Sequence, residues 1–149
     1  MEALYAYALL LCQGYDVWDL YSAELDRLYL DDPENEIYFT LELTNDNDIE
    51  HTVMYIISNI RQQDFHIDYF GQIFMKSLSE IYQKSDLPDF AKHMYALWNH
   101  LPYFIREQEP FFTLCYADDC LSYGDEAECR RLYEKAMHFY DCMKQKGKL

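Results

Sequence analysis

The side chains best able to do chemistry lie in the last third of the chain and in one polar stretch before its middle. Cys120, Cys129 and His138 are each nine apart, and Cys142 lies thirteen beyond Cys129. Zinc sites draw on C-x-x-C pairs or on histidines one helical turn apart, and neither pattern occurs. Reduced thiols buried on helix faces fit this spacing better, because free cysteine is among the most buried residue types. No metal and no cofactor are expected. Asp46, Asp48 and Glu50 alternate as calcium ligands can, yet the stretch lacks the loop's sixth-position glycine and its closing glutamate, and helix caps account for these acids. Asp118-Asp119 falls inside an expected helix, where adjacent residues point to different faces and make a poor acid–base dyad. If either faces the core, Arg130 or Arg131 is its expected partner. The five histidines, His51, His66, His93, His100 and His138, are scattered and read mostly as surface or cap residues. The chain has no G-x-G-x-x-G, P-loop or G-x-S-x-G, so a non-enzyme is expected. That expectation rests on local motifs alone, since a Cys-His-Asn triad assembles in space.

Charge carries a stronger signal than any motif. The net charge is −15, and it is unevenly placed: residues 1–68 hold 15 acidic groups against only Arg27 and Arg61, whereas residues 69–149 hold 12 acidic and 10 basic groups. A field of that sign repels nucleic acid and anionic lipid and speeds association with a basic partner. Fifteen tyrosines, nine phenylalanines and two tryptophans exceed what an 18 kDa helical core requires, and several tyrosines sit beside acids, as in Tyr15-Asp16 and Tyr29-Leu30-Asp31. Tyr and Trp are over-represented at interface hot spots. Acid-flanked tyrosines suit a partner presenting Lys and Arg, and aromatics interleaved with the opposite charge would have suggested nucleic acid. The expected partner-binding residues are Asp19, Tyr21, Asp26, Tyr29, Asp31, Asp32, Glu34, Glu36 and Asp46. The expected function is a non-catalytic protein-binding module, in its most concrete form a small acidic cytoplasmic inhibitor of immunity type that occludes a basic protein.

These residues need a scaffold, and the composition selects helices. Four Gly and four Pro in 149 residues are too few for a β-sandwich with a turn every ten residues or so. One domain, 1–149, accommodates the length. The odd count of five cysteines without a secretory segment fits reduced thiols in a cytoplasm. The apolar run 3–12 has Glu2 where a signal peptide carries positive charge, no small-x-small cleavage site and too few residues to span a bilayer. It reads as a helix, 2–13, buried nearly all round and ended by Gly14. Asp16 is expected to cap a second helix with Val17, Tyr21, Leu25 and Leu28 on its inner side.

Asp32-Pro33-Glu34 has the form of a helix start, with Asp as cap and Pro in the first position. The alternation through 37–43 would also suit a strand, and the cap decides for helix. Asn47 and Glu50 have capping-box form before a stripe of Ile49, Val53, Ile56, Ile57 and Ile60 reaching about residue 63. A helix over 67–84 buries Phe70, Ile73, Phe74, Leu78 and Ile81. Asp86 and Pro88 open the next, with Phe90, Ala91, Met94, Leu97, Trp98 and Leu101 inward. Residues 103–109 read as one helical turn or an ordered connection, and 111–123 as a further helix. Gly124 and Asp125 turn the chain into a last helix striped by Cys129, Leu132, Tyr133, Ala136, Met137, Tyr140 and Met143.

The second member of each helix pair begins near 16, 48, 87 and 125, a recurrence of 32, 39 and 38 residues. The expected fold is therefore all-α, about seven to eight helices forming four stacked antiparallel helical hairpins. The last hairpin resembles a tetratricopeptide repeat: Gly124-Asp125, Cys129 and Ala136 at small-residue positions, Tyr133 at an aromatic one and Ala117 at a small position of the first helix. Thr113, Cys120 and Asp141 depart from that pattern, and the likeness covers one hairpin in four. The resemblance implies a right-handed stack with a concave groove, and hence a peptide-binding adaptor as the alternative function. HEAT-like packing or a compact bundle suits the same hairpins.

Overall fold

In a computed structural model, residues 1–43 and 48–141 are described, and among them every regular element is helical. The chain divides into two compact units, Met1–His66 and Ile67–Leu149. The first contains α1 (Glu2–Cys12), α2 (Trp18–Asp31), α3 (Glu36–Leu43), α4 (Ile49–Asn59) and a 3₁₀ turn, Gln62–Asp64. The second contains α5 (Ile67–Lys84), α6 (Leu87–Asn99), α7 (Tyr103–Arg106), α8 (Thr113–Tyr116), α9 (Asp119–Ser122) and α10 (Glu126–Met137).

In the first unit α1 packs against α2 and α4. Eight of its eleven residues, from Ala3 to Leu11, are buried, as the continuous apolar run requires. Each fully buried leucine there contributes about 1.5–3 kcal/mol. The helix stops at Gly14, whose φ of +87° is open to glycine at no steric cost. Gly14 N–H donates to Leu11 O and Tyr15 N–H to Leu10 O, the paired bonds of a Schellman end. Asp16 does not cap α2: the N-cap is Val17, with no side-chain hydrogen bond. Of the expected inner stripe, Tyr21 and Leu25 are buried and Val17 and Leu28 half-buried, while Asp19, Asp26 and Arg27 are exposed.

The segment 37–43 is helix, but its start lies later than the Asp-Pro signature suggests. Asp32 ends α2, and its carbonyl accepts from Asn35 N–H at 3.1 Å, which makes a turn of Asp32-Pro33-Glu34-Asn35. Asn35 Oδ1 then accepts from Ile37 N–H at 2.9 Å and opens α3. Asn47, Asp46 and the rest of 44–47 lie outside the described residues; Asp48 is the observed cap of α4, accepting from His51 N–H at 3.4 Å. That helix ends at Asn59, short of residue 63, where the chain turns extended at Ile60.

In the second unit α10 packs against α5, α8 and α9, and α6 against α8. The bounds of α5 are the expected ones, and its buried residues include Gly71 and Met75 besides Phe70, Phe74 and Leu78. Phe70, Phe74 and Phe111 form one aromatic cluster with centroids 5.2 to 6.4 Å apart. Phe90 meets Tyr133 edge to face at 5.1 Å. Asp86 caps α6, accepting from Asp89 N–H at 2.8 Å. The expected helix over 111–123 is instead two single turns joined by 3₁₀-type bonds, Cys120 N–H to Ala117 O and Leu121 N–H to Asp118 O. Its Phe, Thr, Cys, Tyr and Asp content is poor in strong helix formers, so tertiary packing sets the local winding. At the turn foreseen at Gly124, φ is +79°, Gly124 N–H bonds Leu121 O and Asp125 N–H bonds Cys120 O. Asp125 then caps α10 by accepting from Glu128 N–H at 3.1 Å.

Candidate functional site

The surface most suited to binding lies in the first unit between α2 and α3. Arg27 holds the outer side of α2 by donating to Glu24 at 2.6 Å and to Asp31 at 3.3 Å. That leaves Asp26 facing α3, one helical turn before Leu30. On α3, Phe39, Glu42 and Leu43 share a face by their i, i+3, i+4 spacing. The two faces border a shallow groove of about 470 Å³ lined by Asp26, Tyr29, Leu30, Phe39, Glu42 and Leu43. Its apolar members are uncovered: Leu30 is 76% exposed, Leu43 71% and Phe39 49%. Isolated exposed leucines are ordinary, whereas here three large apolar side chains share one groove.

The polar edge of the groove is acidic. Glu42 lines this edge with Asp26, and its carboxyl is raised above the usual carboxylate range, first by desolvation and then by the neighbouring Asp26 carboxyl. Elsewhere in the unit, Tyr38 is raised first by burial and then by the negative charge of Asp32.

Of the nine residues expected to meet a partner, the groove brings together Asp26 and Tyr29. Asp19, in the first turn of α2, and Asp31, Asp32, Glu34 and Glu36, around the α2–α3 turn, are exposed on the same unit without lining it. Asp31 is engaged by Arg27. Tyr21 is only 5% exposed and packs edge to face on Trp18 at 5.8 Å, so it serves the core and is withdrawn from the contact set. Asp46 lies outside the described residues. The sequence reading missed Leu30, Phe39, Glu42 and Leu43. Leu30 carried a signal, as a large aliphatic off the inner stripe of its helix and one turn from an acid.

Cys129 is buried, and its thiol is pushed up to about 11, first by burial and then by Cys120 and Asp118. Cys12, Cys115 and Cys120 are raised as well, in each case first by desolvation and then by nearby carboxylates, which makes them weak nucleophiles at neutral pH. Asp118 does not pair with Arg130 or Arg131. Arg130 binds Glu126 and Tyr82, and Arg131 binds Glu128. The Asp118 carboxyl is instead raised by burial and by Asp119, with Oδ1 enclosed and unbonded. His51 pairs with Asp48 at the start of α4, His93 lies 3.9 Å from Asp89, and His138 pairs with Asp141 at 3.1 Å past the end of α10. Ser79 lines a hollow of about 350 Å³ with His138 and Asp141, but the His138–Asp141 pair is 58% and 70% exposed, and no hydrogen bond joins Ser79 to His138 among the described residues. No group of three His, Cys, Asp or Glu able to hold a metal occurs among them. Nor is any described helix long and apolar enough to cross a membrane.

In the second unit Arg106 lies over the rings of Trp98 and Tyr103 at 5.1 and 5.4 Å, and Trp98 Nε1–H donates to Arg106 O at 2.9 Å. These contacts fix α7 against α6, as cation–π pairs do. Comparison of the chain with family models, with curated proteins and with solved structures finds no match.

Proposed function

We propose that this chain is a non-catalytic protein-binding module, a small acidic cytoplasmic inhibitor of immunity type that occludes a basic protein partner. The observation that carries the reading is the α2–α3 face, where uncovered Leu30, Phe39 and Leu43 lie beside the Asp26–Glu42 pair. Around them is a unit whose sequence, residues 1–66, holds 14 acidic groups against Arg27 and Arg61. The apolar groups supply area: covering one leucine is worth about 1.5–3 kcal/mol. The acids supply steering and exclude wrong partners. Against a nuclease, carboxylates on this face would stand where nucleic-acid phosphates otherwise bind. The four sequential helical hairpins belong to the same proposal, as the scaffold that presents this face.

The test is the charge of the partner. A tagged full-length chain, incubated with extracts of its source cell and with the products of neighbouring genes, should bind a basic protein with an association rate that falls steeply as salt rises. A specific partner that is neutral or acidic contradicts the proposal.

A further inference from the structure

Resting on that reading, we infer that the α2–α3 groove is the docking site itself, and that its occupant is a short amphipathic helix of the basic partner carrying Lys or Arg beside its apolar face. Two neighbouring helices leave between them the kind of furrow into which a third helix lays its side chains. Leu30 on α2 and Phe39 and Leu43 on α3 form the apolar floor, and all three are open to solvent. Each pair within a helix, Asp26 with Leu30 and Phe39 with Leu43, spans one turn, so the floor accepts anchors at i and i+3 or i+4 of a guest helix. The guest's charge follows from the edge of the groove. Asp26 and Glu42 both line that edge. An ammonium or guanidinium set between them would replace a like-charge contact by two charge-assisted hydrogen bonds. An acidic guest would add a third negative group to the two already opposed. Arg27, the one cation among the charged groups of α2, pairs with Glu24 and Asp31.

The probe is a labelled 14-residue Leu/Lys peptide designed as an amphipathic helix, titrated against the full chain by fluorescence anisotropy at 150 mM salt. Two companions share its length: a Leu/Glu peptide with the same apolar face, and a Ser/Lys peptide with the same charge. The Leu/Lys peptide should bind saturably and at least tenfold more tightly than either companion. L30S/L43S and D26N/E42Q should each weaken it at least tenfold, whereas E50Q/D64N, which removes two exposed acids outside the groove, should change it less than twofold. The two leucines are largely exposed, so unchanged circular dichroism should accompany their replacement. Equal binding of the Ser/Lys peptide means charge alone and overturns the inference, as does equal binding of the Leu/Glu peptide, indifference to L30S/L43S, or no saturable binding. Concentration-dependent dimerisation abolished by L30S/L43S would make a second copy the occupant and also overturn it. If a basic protein partner binds the L30S/L43S/D26N/E42Q variant undiminished, this docking site fails while the proposed function stands. A partner that is not basic removes the proposed function.

Discussion

Replacing Gly71 by alanine should destabilise the protein, although alanine is the better helix former. Gly71 lies in the interior of α5 and is buried, and a Cβ built there would overlap the hydroxyl, Cζ and Cε2 of Tyr140. Tyr140 is only 5% exposed, and its hydroxyl is pushed up, first by burial and then by the charge of Asp68, so the ring is closed in. On propensity alone the substitution would gain about 1 kcal/mol. Against that, overpacking a close contact costs about 1–3 kcal/mol, and expelling the ring approaches the roughly 3–5 kcal/mol of truncating a buried aromatic. The cheaper route prevails, and the balance is a net loss of about 1 kcal/mol. In a Y140A background the overlap is gone, and the same substitution should stabilise by about 1 kcal/mol. Urea denaturation of the four proteins in the cycle, followed by circular dichroism, should therefore give a coupling of about 2 kcal/mol with a reversal of sign. Stabilisation by G71A in the wild-type background, or the same effect in both, would refute the packing argument.

E42Q should stabilise the protein at neutral pH by a few tenths of a kcal/mol, the modest size reflecting solvent screening at an exposed site. The native state holds the Glu42 proton more tightly than the unfolded chain, so wild-type stability is favoured below the ordinary carboxylate range and is lost as pH rises through the raised native value. The gain from E42Q should accordingly vanish in thermal melts near pH 3.5, and an equal gain there would contradict the shared carboxyl pair. D125A should cost about 1 kcal/mol in chemical denaturation, because Asp125 accepts the Glu128 N–H that α10 cannot satisfy itself. A loss below about 0.3 kcal/mol would mean that the cap is redundant.

Local chemistry made several elements legible, and the failures came where tertiary packing decides. The bounds of α5 follow from a strong 3.6-residue stripe, and the turn at Gly124-Asp125 follows from one residue that tolerates positive φ and one that caps. Asp32-Pro33 misled because a proline after an acid fits the first turn of a helix and a reverse turn equally well. What distinguishes them is the side chain of Asn35 two residues later. The broken helix over 111–123 has acceptable periodicity but weak propensity, and packing tightened its turns. The groove was only half legible for a related reason. In α3 the apolar residues Ile37, Tyr38, Phe39, Leu41 and Leu43 encircle a helix of eight residues, so the sequence does not tell which of them stays uncovered. Leu41 is buried while Phe39 and Leu43 are not, and that asymmetry comes from the rest of the unit. Tyr21 shows the converse, an acid-flanked tyrosine that looked like a contact residue and is part of the core.

Hydrogen exchange of the full chain with and without the proposed basic partner tests the central claim most directly. Protection on binding should concentrate in Trp18–Asp31 and Glu36–Leu43, the two helices that border the groove. Protection confined to residues of the Ile67–Leu149 unit, with α2 and α3 exchanging as in the free protein, would contradict it.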